Sequence, residues 1–247
     1  MVIYSGGDFE ITLREVLVSV IILLVMLTAG FFISEKISSR VDEKNQEYEQ
    51  AIRIDRKDLF EYGMRTDAGN AFIYGELSAA DPVSLPELEE EYSFIQKIKE
   101  RYTMHERVVT HTNGKNTYTT TEIYYTWDKV GQEDFSCTKI LFTGHEFDYG
   151  VISFPSAHHL TTIRESYKIR YVYEVCNSSY TGTVYGRLQD KTLIGAQFME
   201  GKTLDEAVEY MCTSQKAFVI MFWVVWLIIT FIGIGSFYYL DNNWVED

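Results

Sequence analysis

Two long apolar segments, one near each end of the 247-residue chain, constrain its fold more than any other feature. Residues 16–33 and residues 217–240 contain no charged side chain. At about 1.5 Å of rise per residue, a helix over either segment can cross a hydrocarbon layer of about 30 Å, the first with its flanking residues. Because a helix pairs its own backbone amides where water is absent, both segments are predicted to be transmembrane helices.

Two other interpretations of these segments are less favoured. A cleaved signal peptide fits the first segment poorly, because its small residues Ala29 and Gly30 lie inside the apolar run. A buried helix of a soluble core fits the second segment poorly, because Trp223 near its start and Tyr238 near its end suit the two membrane interfaces. The membrane bilayer is therefore an expected partner of the chain.

About 180 residues lie between the apolar segments, enough for one domain with its own core. The net charge of -14 argues against a nucleic-acid partner, which would require clustered Lys and Arg. The expected organisation is a short tail over residues 1–15, a transmembrane helix over 16–33, a juxtamembrane helical stalk over 34–55, a membrane-proximal domain over 56–216, a second transmembrane helix over 217–240 and a short acidic tail over 241–247.

The expected fold class of the domain is α+β, mainly antiparallel β with accessory helices. Aromatic residues make up 15% of the chain, and many of them alternate with polar residues, which is typical of strands. Strands are predicted over residues 70–79, 139–142, 147–154, 167–176, 180–188 and 192–194. Helices are predicted over residues 87–99 and from Thr203, where Thr203 and Glu206 can form a capping box.

A β-hairpin is predicted over residues 102–127, with Asn113 and Gly114 as its two-residue turn. An Asn-Gly pair tolerates the positive φ angles that a type I′ turn demands, and it therefore sets the register of the two strands. Tyr102 would then face Tyr125. The side of the hairpin that carries these two residues looks apolar enough to pack into the core, and the other side carries charges and a row of threonines.

The stalk has the spacing of a short coiled coil, since Ile37, Val41, Lys44 and Tyr48 recur at steps of four, three and four. The helix could pair with a second copy or lie on its own domain. Small residues of the second apolar segment would allow another helix to approach closely. The candidate interaction residues are therefore Ile37, Val41 and Tyr48 of the stalk and Gly233, Gly235 and Ser236 of the second segment.

Potential metal ligands come close together in the sequence at one place, which contains His145, Glu146, His158 and His159. The HExxH pattern of zinc proteases is not met, because Tyr149 stands where the second histidine would be. These four residues are weak metal candidates, and no catalytic or cofactor-binding residue and no cofactor is predicted. Enzyme activity is left open, with no motif in its favour.

The three cysteines, Cys137, Cys176 and Cys212, have no CxxC spacing. Cys137 and Cys176 could form a disulfide on the far side of a membrane, or all three could be free thiols in a reducing compartment. Asn177 begins a three-residue glycosylation pattern, which would matter only in a eukaryotic secretory lumen.

Several short segments of the domain match a known pattern in order. They are Tyr74 to Leu77 with Asp81, Pro82 and Pro86, then residues 100–106, residues 121–127, and residues 142–163 with Phe147, Gly150, Phe154 and Pro155. In these segments the chain resembles the LUMA family of membrane proteins and, more distantly, the beside-a-membrane domain of mitochondrial ubiquitin ligases. The resemblance implies a domain beside a membrane, in a lumen or intermembrane space, with scaffolding roles. This chain has one span after the domain, where LUMA has several, and it lacks a RING-type cysteine array.

Two arguments about orientation disagree. Lys36, Arg40 and Lys216 flank the apolar segments on the domain side, which favours a cytoplasmic domain. The domain is, however, much longer than the roughly 60 residues over which flanking charge decides orientation. The family resemblance also points outward, so the domain is expected on the extracytoplasmic or lumenal side, with both termini in the cytoplasm.

Together these features predict a non-enzymatic, two-pass membrane-anchored scaffold or interaction protein that forms homo-oligomers or binds other membrane proteins. An alternative is a membrane receptor or sensor, with a ligand pocket lined by Tyr124, Tyr171 and Tyr173. A membrane-bound hydrolase or metalloenzyme that uses the histidine group is a weaker alternative.

Overall fold

The computed structural model describes residues 2–6, 9–114 and 116–245, and the side chains of residues 12–112, 114 and 116–241. The elements are β1 (Val2–Gly6), β2 (Phe9–Thr12), α1 (Leu13–Gln50), β3 (Ile52–Ile54), α2 (Lys57–Arg65), β4 (Gly69–Ala79), β5 (Tyr92–Asn113), β6 (Asn116–Ser136), β7 (Lys139–Phe142), β8 (His145–Asp148), β9 (His158–Arg164), β10 (Ile169–Asn177), β11 (Ser179–Gln189), β12 (Thr192–Glu200) and α3 (Leu204–Val245).

The chain divides into two compact units. The helical unit comprises Met1–Ala51 and Val208–Asp247, and the β unit comprises Ile52–Ala207. Two long apolar helices with a mostly antiparallel β domain between them agree with the predicted α+β class. The tails predicted over residues 1–15 and 241–247 lie partly outside the described residues.

In the helical unit, the first apolar segment and the stalk form one continuous helix, α1. The helix begins at a capping box in which the Thr12 side chain accepts a hydrogen bond from the Glu15 backbone and the Glu15 side chain accepts one from the Thr12 backbone. It ends at Gln50 because Ala51 adopts an extended conformation, with ψ at 142°. The predicted stalk, which extended to residue 55, is therefore shorter.

Helices α1 and α3 are both long and apolar enough to cross a membrane. Within the chain, only 6% of the most apolar 18-residue window of each helix is buried. A core helix of a soluble protein would bury most of such a window. Most apolar side chains of both helices are therefore at least partly exposed in the described structure.

Two tryptophans of α3 lie against small residues of α1. The indole of Trp226 lies over Gly30, and its Nε1 donates a hydrogen bond to the Met26 carbonyl at 2.9 Å. The indole of Trp223 donates to the Ser34 hydroxyl at 3.0 Å. Gly30 and Ser34 are one helical turn apart, which is the small-xxx-small spacing that lets membrane helices approach. These contacts hold α1 and α3 together at the middle of the unit.

The far ends of the two helices are also in contact. The Arg14 guanidinium contacts the Asp241 carboxylate at 2.7 Å, and the Ser19 and Tyr238 hydroxyls lie 3.2 Å apart. The start of α1 therefore lies beside the end of α3, so the two helices run antiparallel.

The β unit contains two antiparallel sheets. The first has the order β12-β11-β4-β7-β8, with β3 paired in parallel to β4, and the second has the order β6-β5-β10-β9. Helix α2 covers the first sheet, where Phe60 is fully buried and its ring packs edge-on against Phe142 at 5.8 Å. The core of this sheet is completed by aliphatic side chains such as Ile73, Leu77 and Ile140, which are also fully buried.

Most predicted strands are confirmed. Strands β4, β7, β10 and β11 agree with their predictions to within two residues at each end, and α3 begins with the predicted capping contacts between Thr203 and Glu206. The prediction over residues 147–154 is right only for its start, because β8 ends at Asp148. Gly150 follows with a φ of 96°, a left-handed conformation that interrupts a strand.

The predicted helix over residues 87–99 is wrong. Residues from Tyr92 onward belong to β5, which pairs with β10 on one side and β6 on the other. Leu88, Tyr92 and Ile95 recur at helical steps, but they instead form an apolar cluster with Tyr173 and Val175 of β10. Pairing on both sides satisfies the backbone of β5, so tertiary context outweighs the local pattern.

The segment before β5 is tied to the second sheet by Glu87. Its carboxylate accepts hydrogen bonds from the Lys97 ammonium at 2.5 Å and the Tyr173 hydroxyl at 2.8 Å. The bond from Lys97, followed by that from Tyr173, lowers the pKa of Glu87. Burial, supported by the Glu87 contact, raises the pKa of Tyr173 to about 12. These groups hold the segment over the apolar cluster.

We expect Gly30→Val to destabilise the helical unit. A Cβ atom at residue 30 would lie 2.5 Å from Nε1 of Trp226, so the indole must move and give up its hydrogen bond to Met26. Such overpacking costs about 1–3 kcal/mol. Unfolding of the full chain in mild detergent, followed by tryptophan fluorescence, measures the loss.

Gly233→Val is the matched control, because a Cβ atom at residue 233 meets no atom within 4 Å in the described structure. Both changes replace a glycine by valine in an apolar helix, so their propensity costs are similar. Equal destabilisation by the two variants would contradict the contact between Gly30 and Trp226.

Candidate interaction surface on the β-hairpin arm

A long β-hairpin projects from the second sheet, and we call residues 102–113 and 116–127 the arm. Strand β10 accompanies β5 from Tyr92 only as far as Arg101, which is paired with Ile169. From that point, β5 and β6 are paired with each other in the described structure. At about 3.4 Å per residue, the arm is roughly 40 Å long.

The register of the arm differs from the prediction by two residues. Tyr102 faces Trp127 rather than Tyr125, and Asn113 faces Asn116 at the tip. The turn therefore begins one residue later than predicted, after Asn113. Gly114 has a φ of 63°, and residue 115 lies outside the described residues. A shift of two residues leaves every side chain on its predicted face, because the side-chain period of a strand is two.

One face of the arm, which we call the first face, carries most of its apolar side chains. It was predicted to pack into the core, and that prediction is wrong. Val108 is 69% exposed, Ile123 59% and Met104 50%. Beyond its base, this face is exposed in the described structure, because β10 accompanies β5 only as far as Arg101. The full face carries Tyr102, Met104, Glu106, Val108, Thr110 and Thr112 of β5 and Thr117, Thr119, Thr121, Ile123, Tyr125 and Trp127 of β6.

Aromatic and cationic side chains fix the base of the arm. The guanidinium of Arg170, on β10, lies over the Trp127 ring at 4.4 Å and contacts the Glu100 carboxylate at 2.6 Å. The Tyr102 ring stacks on Tyr125 at 5.3 Å and also contacts Trp127. Cation–π contacts of this kind contribute about 0.5–2 kcal/mol each. The arm is therefore anchored on the sheet at one end.

The second face of the arm is polar, and its side chains pair with one another. Arg107 contacts Glu122 at 2.7 Å, and the His105 ring stacks on Tyr124 and reaches the Asp128 carboxylate at 2.6 Å. The Thr126 hydroxyl, and to a lesser extent His105, lowers the pKa of Asp128. The charges predicted for this face are present, and Arg107 is the partner of Glu122.

The arm has the features of a docking surface and none of the features of a catalytic cleft. An isolated two-stranded hairpin is only marginally stable in water, so a long one with an uncovered apolar face is expected to gain stability from a partner. Contiguous exposed apolar patches mark interaction sites on soluble domains. The first face of the arm carries such a group of exposed apolar side chains, among them Met104, Val108 and Ile123.

The predicted interaction residues of the stalk are placed differently from one another. Val41 and Tyr48 are buried within the chain, whereas Ile37 is half-buried. Tyr48 lies close to Cys212 and Gln215 of α3, and burial raises its pKa. The stalk therefore packs on its own α3, and only part of its apolar stripe remains available to a second copy.

The small residues Gly233, Gly235 and Ser236 are exposed on α3. A Cβ atom at either glycine would meet no atom of the described structure within 4 Å. The close helix contact uses Gly30 and Ser34 instead, two residues that the sequence reasoning did not select. Their GxxxS spacing was the signal that could have identified them.

The structure does not gather the four candidate metal ligands. His145 and Glu146 lie in β8 of the first sheet, whereas His158 and His159 lie in β9 of the second. Among the described residues, no group of three or more His, Cys, Asp or Glu side chains could hold a metal ion. The His145 ring instead packs edge-on against Phe60 at 5.4 Å.

Of the three tyrosines in the alternative ligand pocket, Tyr171 and Tyr173 lie close together, and Tyr124 lies apart from them. Tyr173 is 2% exposed and belongs to the apolar cluster of the second sheet, with Tyr171 packed against that cluster. Tyr124 lies on the second face of the arm. Strand β10 accompanies β5 only as far as Arg101, before Tyr124 of the arm is reached, so Tyr124 is not paired with the strand that carries the other two rings.

All three cysteines are free thiols. Cys137 follows β6 and Cys176 is the second-last residue of β10, and β5 lies between these two strands. Two strand spacings amount to roughly 9–10 Å, beyond the reach of a disulfide. Burial raises the pKa of both Cys137 and Cys176. Asn177, which begins the glycosylation pattern, is the exposed last residue of β10.

We expect Trp127→Ala to loosen the base of the arm, because the variant removes the ring that contacts Arg170 and Tyr102. Hydrogen exchange at residues 103–111 should accelerate about tenfold, while exchange at residues 92–100, paired on both sides, should hold steady. Tyr118→Ala, near the tip, is the control and should leave the base unchanged. Equal effects of the two variants at the base would contradict the anchor.

The chain was compared with protein families, with curated proteins and with solved structures. No family model, no curated protein and no solved structure matches the chain. The resemblance to the LUMA family therefore stays a prediction that is based on short segments of sequence. The function has to be argued from the geometry of the arm and of the helical unit.

Proposed function

We propose that this chain is a non-enzymatic, two-span membrane-anchored interaction protein that self-associates through the first face of its arm. The observation that carries the proposal is the uncovered apolar stretch around Val108 and Ile123, which are 69% and 59% exposed. A role in assembly requires such a surface, whereas catalysis would require a cleft with convergent polar groups.

Membrane anchoring is supported by the two apolar helices, because only 6% of the most apolar window of each is buried within the described residues. Because the β unit is continuous with α1 at one end and α3 at the other, it would be tethered to the bilayer at two points. Tethering confines the arm to a thin layer and raises its effective concentration for partners in the same membrane. Weak contacts between arms would then be sufficient for association.

A second copy of the chain is the occupant that the first face fits best. The face carries a single charged residue, Glu106, among apolar and threonine side chains. A surface of this composition can complement itself in a two-fold arrangement, where a residue i of one copy contacts a residue j of the other and residue j contacts residue i in return. Two-fold symmetry about the membrane normal also preserves the orientation of both copies. Two arms would pack face to face about 10 Å apart.

We place the β unit on the extracytoplasmic or lumenal side in this proposal. The support is its length, which exceeds the range of the positive-inside tendency, and the resemblance to the LUMA family. The charges of Lys36, Arg40 and Lys216 favour the opposite side, so orientation needs a direct test.

Orientation can be tested with a thiol on the arm. Cys137 and Cys176 are too buried for labelling. We therefore use a double variant in which Thr120→Cys supplies an exposed thiol and Cys212→Ser removes the remaining accessible one. Labelling of this variant shows on which side of the membrane the β unit lies. An impermeant maleimide should label this chain in intact cells, whereas the Cys212→Ser parent should stay unlabelled. Labelling only after permeabilisation would place the β unit in the cytoplasm. Recovery of the chain in the supernatant of a detergent-free lysate would contradict the membrane anchor.

Self-association through the first face can be tested by cross-linking in native membranes. Thr121 lies opposite Val108 on the first face, and Thr120 lies on the second face. In a Cys212→Ser background with added oxidant, we expect Thr121→Cys to give at least fivefold more disulfide-linked dimer than Thr120→Cys. Adding Val108→Asp should abolish the difference, because burial of an unpaired carboxylate opposes the contact.

Two outcomes would contradict this self-association. Equal cross-linking at Thr120→Cys and Thr121→Cys would mean that the copies do not meet through the first face. A chain that sediments as a monomer in mild detergent, and whose membrane-bound form shows no cross-linked dimer, would point to a lipid surface or another protein as the occupant.

A further inference from the structure

A groove of about 650 Å³ lies on the surface of the helical unit, between α1 and α3. It begins four residues after the first apolar segment, at Ile37, and includes Phe218, at the start of the second. On the proposed membrane topology, this is the level of the lipid headgroups. Its lining comprises Ile37, Arg40, Val41, Glu43, Lys44, Glu47, Gln215 and Phe218.

The lining combines an apolar floor with two cations and two anions. The Lys44 ammonium forms an ion pair with the Glu47 carboxylate at 2.6 Å, and this contact raises the pKa of Lys44. Arg40 and Glu43 form no ion pair with any residue that the structure describes, and both are exposed. The groove therefore offers one unpaired guanidinium and one unpaired carboxylate beside apolar side chains.

The order of these two charges matches the order of charges in a phospholipid. Arg40 lies nearer the apolar segment, and Glu43 lies three residues, or about 4.5 Å of helix rise, farther from it. A phospholipid with a two-carbon amine headgroup likewise places its phosphate nearer the acyl chains and its ammonium farther out. An anionic headgroup without an amine would leave Glu43 facing negative charge.

A primary ammonium fits the groove better than a quaternary one. Quaternary ammonium groups are typically held in cages of several aromatic rings. The groove has one aromatic residue, Phe218. A primary ammonium can donate charge-assisted hydrogen bonds to a carboxylate, which a quaternary ammonium cannot.

We propose that this groove binds a phosphatidylethanolamine-type lipid, with the phosphate on Arg40 and the ammonium on Glu43. The acyl chains would lie along Ile37 and Phe218 toward the apolar segments. The inference depends on the proposed membrane anchor but not on the proposed contact between arms. The site would make the helical unit sensitive to the lipid composition of its membrane.

Lipid retention by the purified full-length chain tests the proposal. The chain is exchanged into nanodiscs that contain phosphatidylethanolamine, phosphatidylcholine or phosphatidylglycerol in equal amounts, and bound lipid is counted by native mass spectrometry. Phosphatidylethanolamine should be retained at least fivefold over the other two lipids. Arg40→Gln should lower its retention about tenfold, and Arg40→Lys should restore part of it. Glu43→Gln should remove the preference over phosphatidylglycerol.

The control variants are Arg65→Gln and Glu61→Gln, which make the same charge changes on the exposed face of α2 in the β unit. Neither should alter lipid retention. Equal retention of the three lipids, or equal effects of the groove and control variants, would overturn the proposal. Competition by millimolar inorganic phosphate would also overturn it, since the site would then recognise only an anion.

Failure of this inference is distinguishable from failure of the proposed function. A chain without a membrane anchor would not sediment with membranes at all. A chain that is anchored but lacks the lipid site would sediment with membranes and would retain the three lipids equally.

Discussion

The shape of the β unit depends on a difference in length between two neighbouring strands. Strand β5 pairs with β10 only as far as Arg101, and then continues to Asn113 with β6 as its partner. Within the sheet, the backbone of β5 is satisfied on both sides, and its side chains form part of a core. Beyond Arg101 the same strand has one open edge and two uncovered faces. The arm is therefore a direct consequence of where β10 begins.

This geometry combines a packed base with an exposed apolar surface in one small domain. The base of the arm is held by Trp127, Arg170 and Glu100, whereas apolar side chains farther out are more than half exposed, among them Val108 and Ile123. A partner that covers those side chains would gain hydrophobic contact without disturbing either sheet. In the helical unit, in contrast, the indoles of Trp223 and Trp226 already donate hydrogen bonds to α1.

Much of the fold could be predicted from the sequence, because its signals are local. Alternation predicted strands such as β7 and β11, and the capping residues Thr203 and Glu206 predicted the start of α3. The predictions failed where residues that are distant in sequence determine the secondary structure. Leu88, Tyr92 and Ile95 satisfy a helical spacing, and only the presence of β6 and β10 on either side of β5 turns the segment into a strand.

The candidate site was predicted in part. The two faces of the hairpin were assigned correctly because a strand has a period of two, but the sequence carries no information on whether another element covers the apolar face. The predicted contact residues Val41 and Tyr48 are buried by their own chain, because α3 returns alongside α1. The indole contact at Gly30 joins residues almost two hundred positions apart, and no local pattern reports such a pairing.

The state of the cysteines has a consequence for where this protein can work. Cys137 and Cys176 are buried among apolar side chains, and their raised pKa keeps them as protonated thiols at neutral pH. Thiols are poor nucleophiles compared with thiolates, so these groups resist oxidation and disulfide exchange. The β unit therefore owes none of its stability to the redox potential of its surroundings. The same fold would persist in an oxidising lumen and in a reducing cytosol.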